Sequence, residues 1–235
     1  MYPVAILAGG IASRIRPHTD AVPKALLTVA GQPFIAHQLT ALRDRQITDV
    51  VLCVAHLGTQ VEDFVGDGRA WGLRVRYAFD GPELLGTGGA LRRAQTLLGD
   101  TFFTLYGDSY LRCDFSAVSR AFVDSHRLGL MTVYRNDNTL GTSNVLFEHG
   151  EILRYEKASP APGMRHIDYG LSILTAVALA RYPAGARFDL SRVFNDLLAD
   201  RQLAGFEVAD RFFEIGSPDG LRDTEALLTQ PRSVR

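Results

Sequence analysis

Val4-Ala-Ile-Leu-Ala-Gly-Gly-Ile-Ala-Ser-Arg-Ile-Arg-Pro17 decides how this chain folds. Its four leading apolar residues, Val4–Leu7, read as a strand buried on both faces, as in parallel sheets. The chain then turns through Gly9 and Gly10, where missing side chains let backbone N–H groups approach an anion or a flat base. Working outward, the alternation repeats. Residues 34–45 have helical spacing, with Phe34, Ile35, Leu39 and Leu42 on one face. Residues 50–54 form a second continuous apolar strand, 59–65 suit a short helix, and Arg74–Phe79 a strand. Residues 87–98 carry Leu91, Ala94 and Leu98 along a helical stripe, and 102–106 are again a buried strand. This order predicts a Rossmann-like α/β fold: a mixed, mostly parallel sheet with helices on both faces.

The second half is less regular. A helix is expected over 117–125 and a strand over 130–134. Residues 143–147 and 152–156 flank His149-Gly150, a hairpin turn. A short strand covers 171–174. Asp189 can cap a helix over 191–201. Short strands are expected at 206–208 and 212–215, and a closing helix over 218–228 has Pro218 in its first turn. No low-complexity linker or internal repeat divides the chain, so 1–235 is read as one domain.

Charge and composition exclude several classes. Twenty-five basic residues stand against 26 acidic ones, for a net charge of −1. A general nucleic-acid binder carries a large basic excess, so none is expected as partner. No stretch approaches the roughly 20 apolar residues of a membrane helix. The start Tyr2-Pro-Val-Ala-Ile-Leu7 lacks the basic opening of a signal peptide, so a cytoplasmic setting is expected. Cys53 and Cys113 suit neither a disulfide framework nor a zinc site, and Cys53 in its apolar run reads as a small hydrophobe. The six histidines are scattered without metal-ligand spacing. Arginine occurs 23 times and lysine only at Lys24 and Lys157. Two compact ammonium groups in so arginine-rich a chain point to places where a planar fork will not serve.

Polar residues gather at the ends of the predicted strands. Arg14 and Lys24, in Pro23-Lys-Ala-Leu-Leu-Thr-Val-Ala-Gly-Gln-Pro-Phe34, bring two cations to the carboxyl end of the sheet, where open α/β folds bind ligands. Leu85-Gly-Thr-Gly-Gly-Ala90 opens a helix whose N-terminus can face a ligand, with glycines that let backbone groups reach a base or ribose. Glu83 just upstream can accept hydrogen bonds from guanine N1–H and its exocyclic amine. Asp108, after the strand 102–106, is placed for a hard cation such as Mg²⁺, which takes one or two carboxylates plus phosphate oxygens and water.

With these residues in place, the chain resembles the sugar-phosphate nucleotidyltransferases, whose opening signature is LAGGxGTRLRPxTxxxPKxLxPVxGxPF. The likeness continues through Leu85-Gly-Thr-Gly-Gly-Ala90, Gly107-Asp108, Glu156-Lys157 and Glu214-Ile-Gly-Ser-Pro218. It implies a GT-A-like nucleotidyltransferase fold. The expected nucleotide-binding part is about 1–112 and the sugar-phosphate-binding part about 113–235. It also implies an NTP and a sugar 1-phosphate as substrates, an NDP-sugar and pyrophosphate as products, and Mg²⁺ as cofactor. On the matching positions, Leu7, Ala8, Gly9, Gly10, Glu83, Gly86 and Thr87 bind the nucleotide. Arg14, Lys24 and Asp108 are catalytic, and Asp108 and Glu214 are metal ligands. Lys157 holds the sugar phosphate and Glu156 a sugar hydroxyl, while Asn144, Asp168, Tyr169 and Gly170 lie where the sugar pocket tends to be.

Four positions depart from the pattern. Ala12 replaces a glycine, Ser13 a threonine, Ala158 a proline, and Glu214 an aspartate. The related molybdopterin-type loop normally places Met-Gly after the arginine, whereas Ile15-Arg16-Pro17 follows here. GTP with a heptose 1-phosphate is the favoured substrate pair. A uridylyl- or cytidylyltransferase using another phosphorylated acceptor, and a non-catalytic NDP-sugar-binding module, stay open as alternatives, as does self-association.

Overall fold

The computed structural model describes residues 1–10, 21–157, 159 and 161–230. In chain order the elements are β1 (Val4–Leu7), β2 (Thr28–Val29), β3 (Gln32–Pro33), α1 (Phe34–Asp44), β4 (Asp49–Val54), α2 (Gly58–Val65), β5 (Arg74–Phe79), α3 (Gly86–Leu98), β6 (Thr101–Tyr106) and β7 (Ser109–Tyr110). Then follow α4 (Phe115–Ser125), β8 (Gly129–Arg135), β9 (Val145–Glu148), β10 (Glu151–Tyr155), β11 (His166–Thr175), α5 (Ala176–Ala180), α6 (Leu190–Ala199), β12 (Leu203–Val208), β13 (Phe213–Glu214) and α7 (Pro218–Thr229).

One mixed sheet runs in the order β10-β9-β11-β6-β1-β4-β5, with β8 paired to β11 and β12 to β8. The half from β6 through β1 and β4 to β5 is parallel. These strands are the continuous apolar runs of the sequence, and burial explains them: Val4, Ala5 and Ile6 of β1 and Val50, Val51 and Leu52 of β4 are fully buried. Helices on both faces make this possible, since the two large clusters of the core, beside a small third one of Val29, Phe34 and Ile215, hold different helices. One packs α1, α2 and α4 against the sheet through Ile35, Leu39, Val61 and Val118; the other packs α3 and α6 through Leu91, Ala94, Val193 and Phe194.

β11 changes the direction of the sheet, running antiparallel to β6, β8 and β9. Its register against β8 slips between Asp168 and Ser172, where Gly170 adopts φ +95°. A bulge of this kind re-aims a side chain, and here it lies beside the site. The strand is much longer than the expected 171–174, because its polar outer half, His166 to Asp168, has no apolar alternation to announce it. Asp189 caps α6 as expected, accepting from Ser191 N, and Asp114 caps α4, accepting from Ser116 N and Ala117 N. The hairpin joining β9 and β10 turns through His149 at φ 52° and Gly150 at φ 82°, the left-handed pair such a two-residue turn requires. No helix among the described residues is long and apolar enough to cross a membrane.

Candidate active site

The carboxyl ends of β5, β4, β1 and β6 open into one cavity of about 340 Å³. Leu7, Ala8, Gly9 and Gly10 supply its floor from β1, and Gly107 and Asp108 its wall from β6. Gly107 is there for a steric reason: a Cβ on it would stand 2.5 Å from Leu7 O and 2.9 Å from Ala8 Cα. Its own N–H donates to Leu7 O at 3.1 Å, so the turn after β6 is pressed onto the end of β1. Gln38, buried on α1, donates to Tyr106 O at 3.2 Å and Ser109 O at 2.8 Å, fixing the same turn from behind. Gln38 has no sequence signal beyond being polar on an otherwise apolar helix face.

Asp108 is thus held at the cavity rim, and Lys24 meets it. Lys24 Nζ donates to Asp108 Oδ2 at 3.0 Å, with the lysine side chain 17% exposed. Lys24 stands in a short 3-10 turn, Lys24–Leu26, after Pro23. The late segment arrives beside them, because β13 pairs with β7 and Ile215 N donates to Asp108 O at 3.0 Å. Around Gly216, a Cβ would lie 2.8 Å from Glu214 Oε2, 3.1 Å from Asp108 Oδ2 and 3.2 Å from Lys24 Nζ. Two carboxylates and one ammonium therefore converge on a residue with no side chain. Glu214 is further held by hydrogen bonds from Gly216 N and Ser217 Oγ. No cluster of three or more His, Cys, Asp or Glu fit for a metal occurs among the described residues. Arg14, with Ala12 and Ser13, lies outside the described residues, as does Ala158.

Across β6, Asp168 forms a second polar centre. Its Oδ2 accepts from Tyr106 OH at 3.2 Å and Tyr155 OH at 3.4 Å, and its Oδ1 from Gly170 N at 3.0 Å. Burial pushes the Asp168 carboxyl above its ordinary range, against the pull of these donors and of the Lys157 charge. Tyr106 also lines the cavity, so this cluster adjoins it. Asn144 Oδ1 accepts from Asp168 N at 3.0 Å and its backbone bridges to Glu156 N, so Asn144 ties β11 to the end of β10. Glu156 is half-buried beside Arg154, at 3.9 Å. Gly170 crowds Tyr106 and Ser109 closely enough that a Cβ would sit 3.1 Å from the Tyr106 ring. Tyr169 turns away from the substrate side where it was expected. It is 1% exposed, packs edge-on against Phe212 in the core, and its hydroxyl accepts from Arg112 N.

Lys157 is paired with Asp189, Nζ lying 3.0 and 3.1 Å from the two carboxylate oxygens. The same carboxylate accepts from Thr87 Oγ1 at 3.1 Å, and Thr87 lines the cavity. Burial raises the Asp189 carboxyl, but the Ser191 hydrogen bonds and the Lys157 charge outweigh it and leave the group below its usual value. Asp189 is legible as a helix cap; its hold on Lys157 and Thr87 joins residues far apart in sequence and is not.

The glycines of Leu85-Gly-Thr-Gly-Gly-Ala90 do something other than expected. Gly88 N and Gly89 N donate to Phe188 O at 3.0 and 3.2 Å, and Phe188 N donates back to Leu85 O at 3.0 Å. A Cβ on Gly86 would lie 2.6 Å from Phe188 O, and one on Gly89 2.5 Å from Ala186 O. The N-terminus of α3 is therefore capped by the loop before α6, and these glycines let that loop approach. Gly86 and Thr87 do reach the cavity. Glu83 is exposed and does not line it; the carboxylate that does is Asp80, at the end of β5. Asp80 is 7% exposed, and its Oδ2 accepts from Leu85 N at 2.9 Å. Burial raises its carboxyl, opposed by that N–H and by Arg93. The signal for Asp80 was available, since it follows a strand as Asp108 does. Cys53 lines the cavity too, buried, its thiol pushed up to about 12 by desolvation and by Asp80. Arg187, exposed at the rim, was one arginine among many.

An N-acetylmuramate alpha-1-phosphate uridylyltransferase from Neisseria meningitidis is 42% identical over 113 residues, 48% of this chain and 49% of that protein. A mannose-1-phosphate guanylyltransferase from Mycobacterium tuberculosis is 28% identical over 223 residues, 91% of this chain and 61% of that protein. The chain thus spans between about half and three fifths of the length of the curated relatives it matches. A Bacillus anthracis structure assigned as a glucose-1-phosphate thymidylyltransferase superposes with TM-score 0.86 at 22% identity, covering 99% of this chain and 97% of that one, which shows a shared fold. The nucleotidyl transferase family profile matches residues 4–149, more than half of the sequence and every strand of the parallel half-sheet, and the chain belongs to that family.

Proposed function

We propose that this protein transfers a nucleotidyl group from an NTP to a sugar 1-phosphate, releasing pyrophosphate. The observation that carries the reading is the convergence of Lys24, Asp108 and Glu214 at Gly216, on the rim of a cavity across the strand ends. The relatives' names support it: both matched enzymes transfer a nucleotidyl group to a sugar 1-phosphate.

The reaction is an in-line displacement at the α-phosphorus. The attacking phosphate oxygen is ionised near neutral pH, so catalysis is positioning and charge neutralisation, with no general base. Lys24 faces the α-phosphate, and Arg14 takes the departing β- and γ-phosphates. Lys157 holds the incoming sugar phosphate after exchanging Asp189 for it. Asp168, Asn144 and Glu156 gather at one end of β10 and β11 and suit a hydroxyl-rich acceptor; choline would call for an aromatic cage. The nucleotide part is about 1–112 and the acceptor part about 113–235.

Asp108 and Glu214 are hard oxygen donors converging on one point, a set that fits Mg²⁺ completed by phosphate oxygens and water. Bound there, the ion would neutralise charge on the transferred phosphate. GTP with a heptose 1-phosphate is the favoured pair. The test is pyrophosphate release from each of four NTPs with a panel of sugar 1-phosphates. Release with at least one pair, abolished by chelator and restored by Mg²⁺, supports the reading. Tight NDP-sugar binding with no release from any pair would leave a binding module instead.

A further inference from the structure

Glu214 stands where the family pattern has aspartate, and the start of α7 is shaped around the longer side chain. Both carboxylate oxygens find donors close by in the chain: Gly216 N donates to Oε2 and Ser217 Oγ to Oε1. Ser217 is also the N-cap of α7, its hydroxyl accepting from Gly220 N at 3.0 Å. Gly220 N–H, the Ser217 hydroxyl and Glu214 Oε1 thus form one relay, in which the single hydroxyl proton points at the carboxylate. Two glycines make the space. A Cβ on Gly220 would overlap Glu214 Oε1, and one on Gly216 would lie 2.8 Å from Oε2. Neither glycine has a positive φ, so what each supplies is room and not backbone freedom. Thr224, fully buried one turn further along α7, has Oγ1 2.9 Å from Glu214 O and 2.7 Å from Gly220 O, which ties the strand end to the helix.

We infer that Ser217 is a positioning residue for the metal site: its hydroxyl, with the room over Gly216 and Gly220, fixes the Glu214 carboxylate toward Asp108 and fits this chain to glutamate where the pattern has aspartate. The inference rests on the reading of Asp108 and Glu214 as metal ligands. Glu214 Oε2 and Asp108 Oδ2 border one point, 2.8 and 3.1 Å from the place of a Gly216 Cβ. A glutamate on a free stem must give up its side-chain torsions to a cation; one already hydrogen-bonded has given them up on folding. An aspartate is one C–C bond, about 1.5 Å, shorter. With the backbone fixed by the β13–β7 pair and by Ile215 N on Asp108 O, it loses either the Ser217 hydroxyl or the point shared with Asp108. Capping α7 alone would not need this arrangement, since Ser217 Oγ satisfies Gly220 N with no help from Glu214.

The test is Mn²⁺ binding to the full chain without nucleotide, read from the electron paramagnetic resonance of free Mn²⁺, with urea unfolding of each variant beside it. Mn²⁺ takes the same oxygen ligands as Mg²⁺. Ser217→Gly removes the hydroxyl at a helix cap that tolerates glycine, and should weaken Mn²⁺ binding by roughly 10- to 100-fold. Ser217→Thr keeps the hydroxyl and should stay within about threefold of the parent. Glu214→Asp should weaken binding by about tenfold, although it restores the residue of the pattern. It leaves the cap intact and decides alone if Ser217→Gly does not fold. The Lys24–Asp108 pair opposes the cation in every variant alike, so it cancels in the comparison.

Ser217→Gly binding Mn²⁺ as tightly as the parent, with only its urea midpoint lowered, overturns the inference and leaves Ser217 a helix cap. Glu214→Asp binding as tightly as the parent overturns it too, as does a Ser217→Thr protein that loses as much affinity as Ser217→Gly. A parent that binds no Mn²⁺ at millimolar metal overturns the inference together with the metal-site reading. Nucleotidyl transfer is judged separately, by pyrophosphate release from that same parent.

Discussion

Lys24 and Asp108 face each other across 84 positions of sequence, and each is the other's counter-charge at the rim of the cavity. If Lys24 stabilises charge developing at the α-phosphate, Lys24→Ala should lower turnover by roughly 10²–10³-fold. Steady-state pyrophosphate release checks this, and a loss of twofold or less rejects the role. Buried thiols behave oppositely to catalytic ones. Cys53 and Cys113 are 1% and 7% exposed, and burial pushes both thiols up to about 12. Both stay protonated at neutral pH. Neither should react with iodoacetamide in the native protein at pH 7.5, and both should react in urea; mass spectrometry after quenching gives the answer. The two lysines and Asp108 were legible because residue type and strand-end position mark them. Asp80 carried the same strand-end mark and was passed over, whereas the hold of Asp189 on Lys157 and Thr87 depends on what lies opposite it.

Strands and helices that are apolar throughout or apolar on one face were readable as such, and α1, β4, α3 and β6 lie where the periodicity puts them. β11 was readable only in its buried half, since its bulge and Asp168 break the pattern that would extend it. The glycine run at the start of α3 was read as a ligand-facing turn because a sequence cannot show that Phe188 O arrives to take the N–H groups. The turn after β6 makes a prediction of its own. At Gly107 an added Cβ meets backbone, which cannot swing aside as a side chain can. Gly107→Ala should therefore cost about 1–3 kcal/mol in urea unfolding and shift Asp108 away from Lys24. A variant as stable as the parent, with unchanged turnover, would show that the two strand ends separate freely.

For the molecule as a whole, pH tests the buried acids. The Asp80 and Asp168 carboxyls are both raised, chiefly by burial. Between their unfolded value, about 3.9, and the raised native values, the unfolded chain binds fewer protons than the native one. Their contribution is therefore full below about pH 3.9 and is lost as pH rises through the native values. Asp168→Asn removes that loss, so its stability relative to the parent should improve steadily as pH rises from about 4 to 7. Urea midpoints over that range measure it, and a constant difference contradicts the raised carboxyl. Asp189, held below its usual value, contributes with the opposite sign, but it is common to both proteins and cancels in the comparison.

Asp189 is one acceptor with two claimants far apart in sequence, the Lys157 ammonium after β10 and the Thr87 hydroxyl on α3. A ligand that draws off either claimant leaves the carboxylate to the other. On the proposed reading, ligands beside Lys157 and beside Thr87 would be coupled through Asp189 without any hinge or moving domain. Thermodynamic reciprocity would make that coupling equal in both directions.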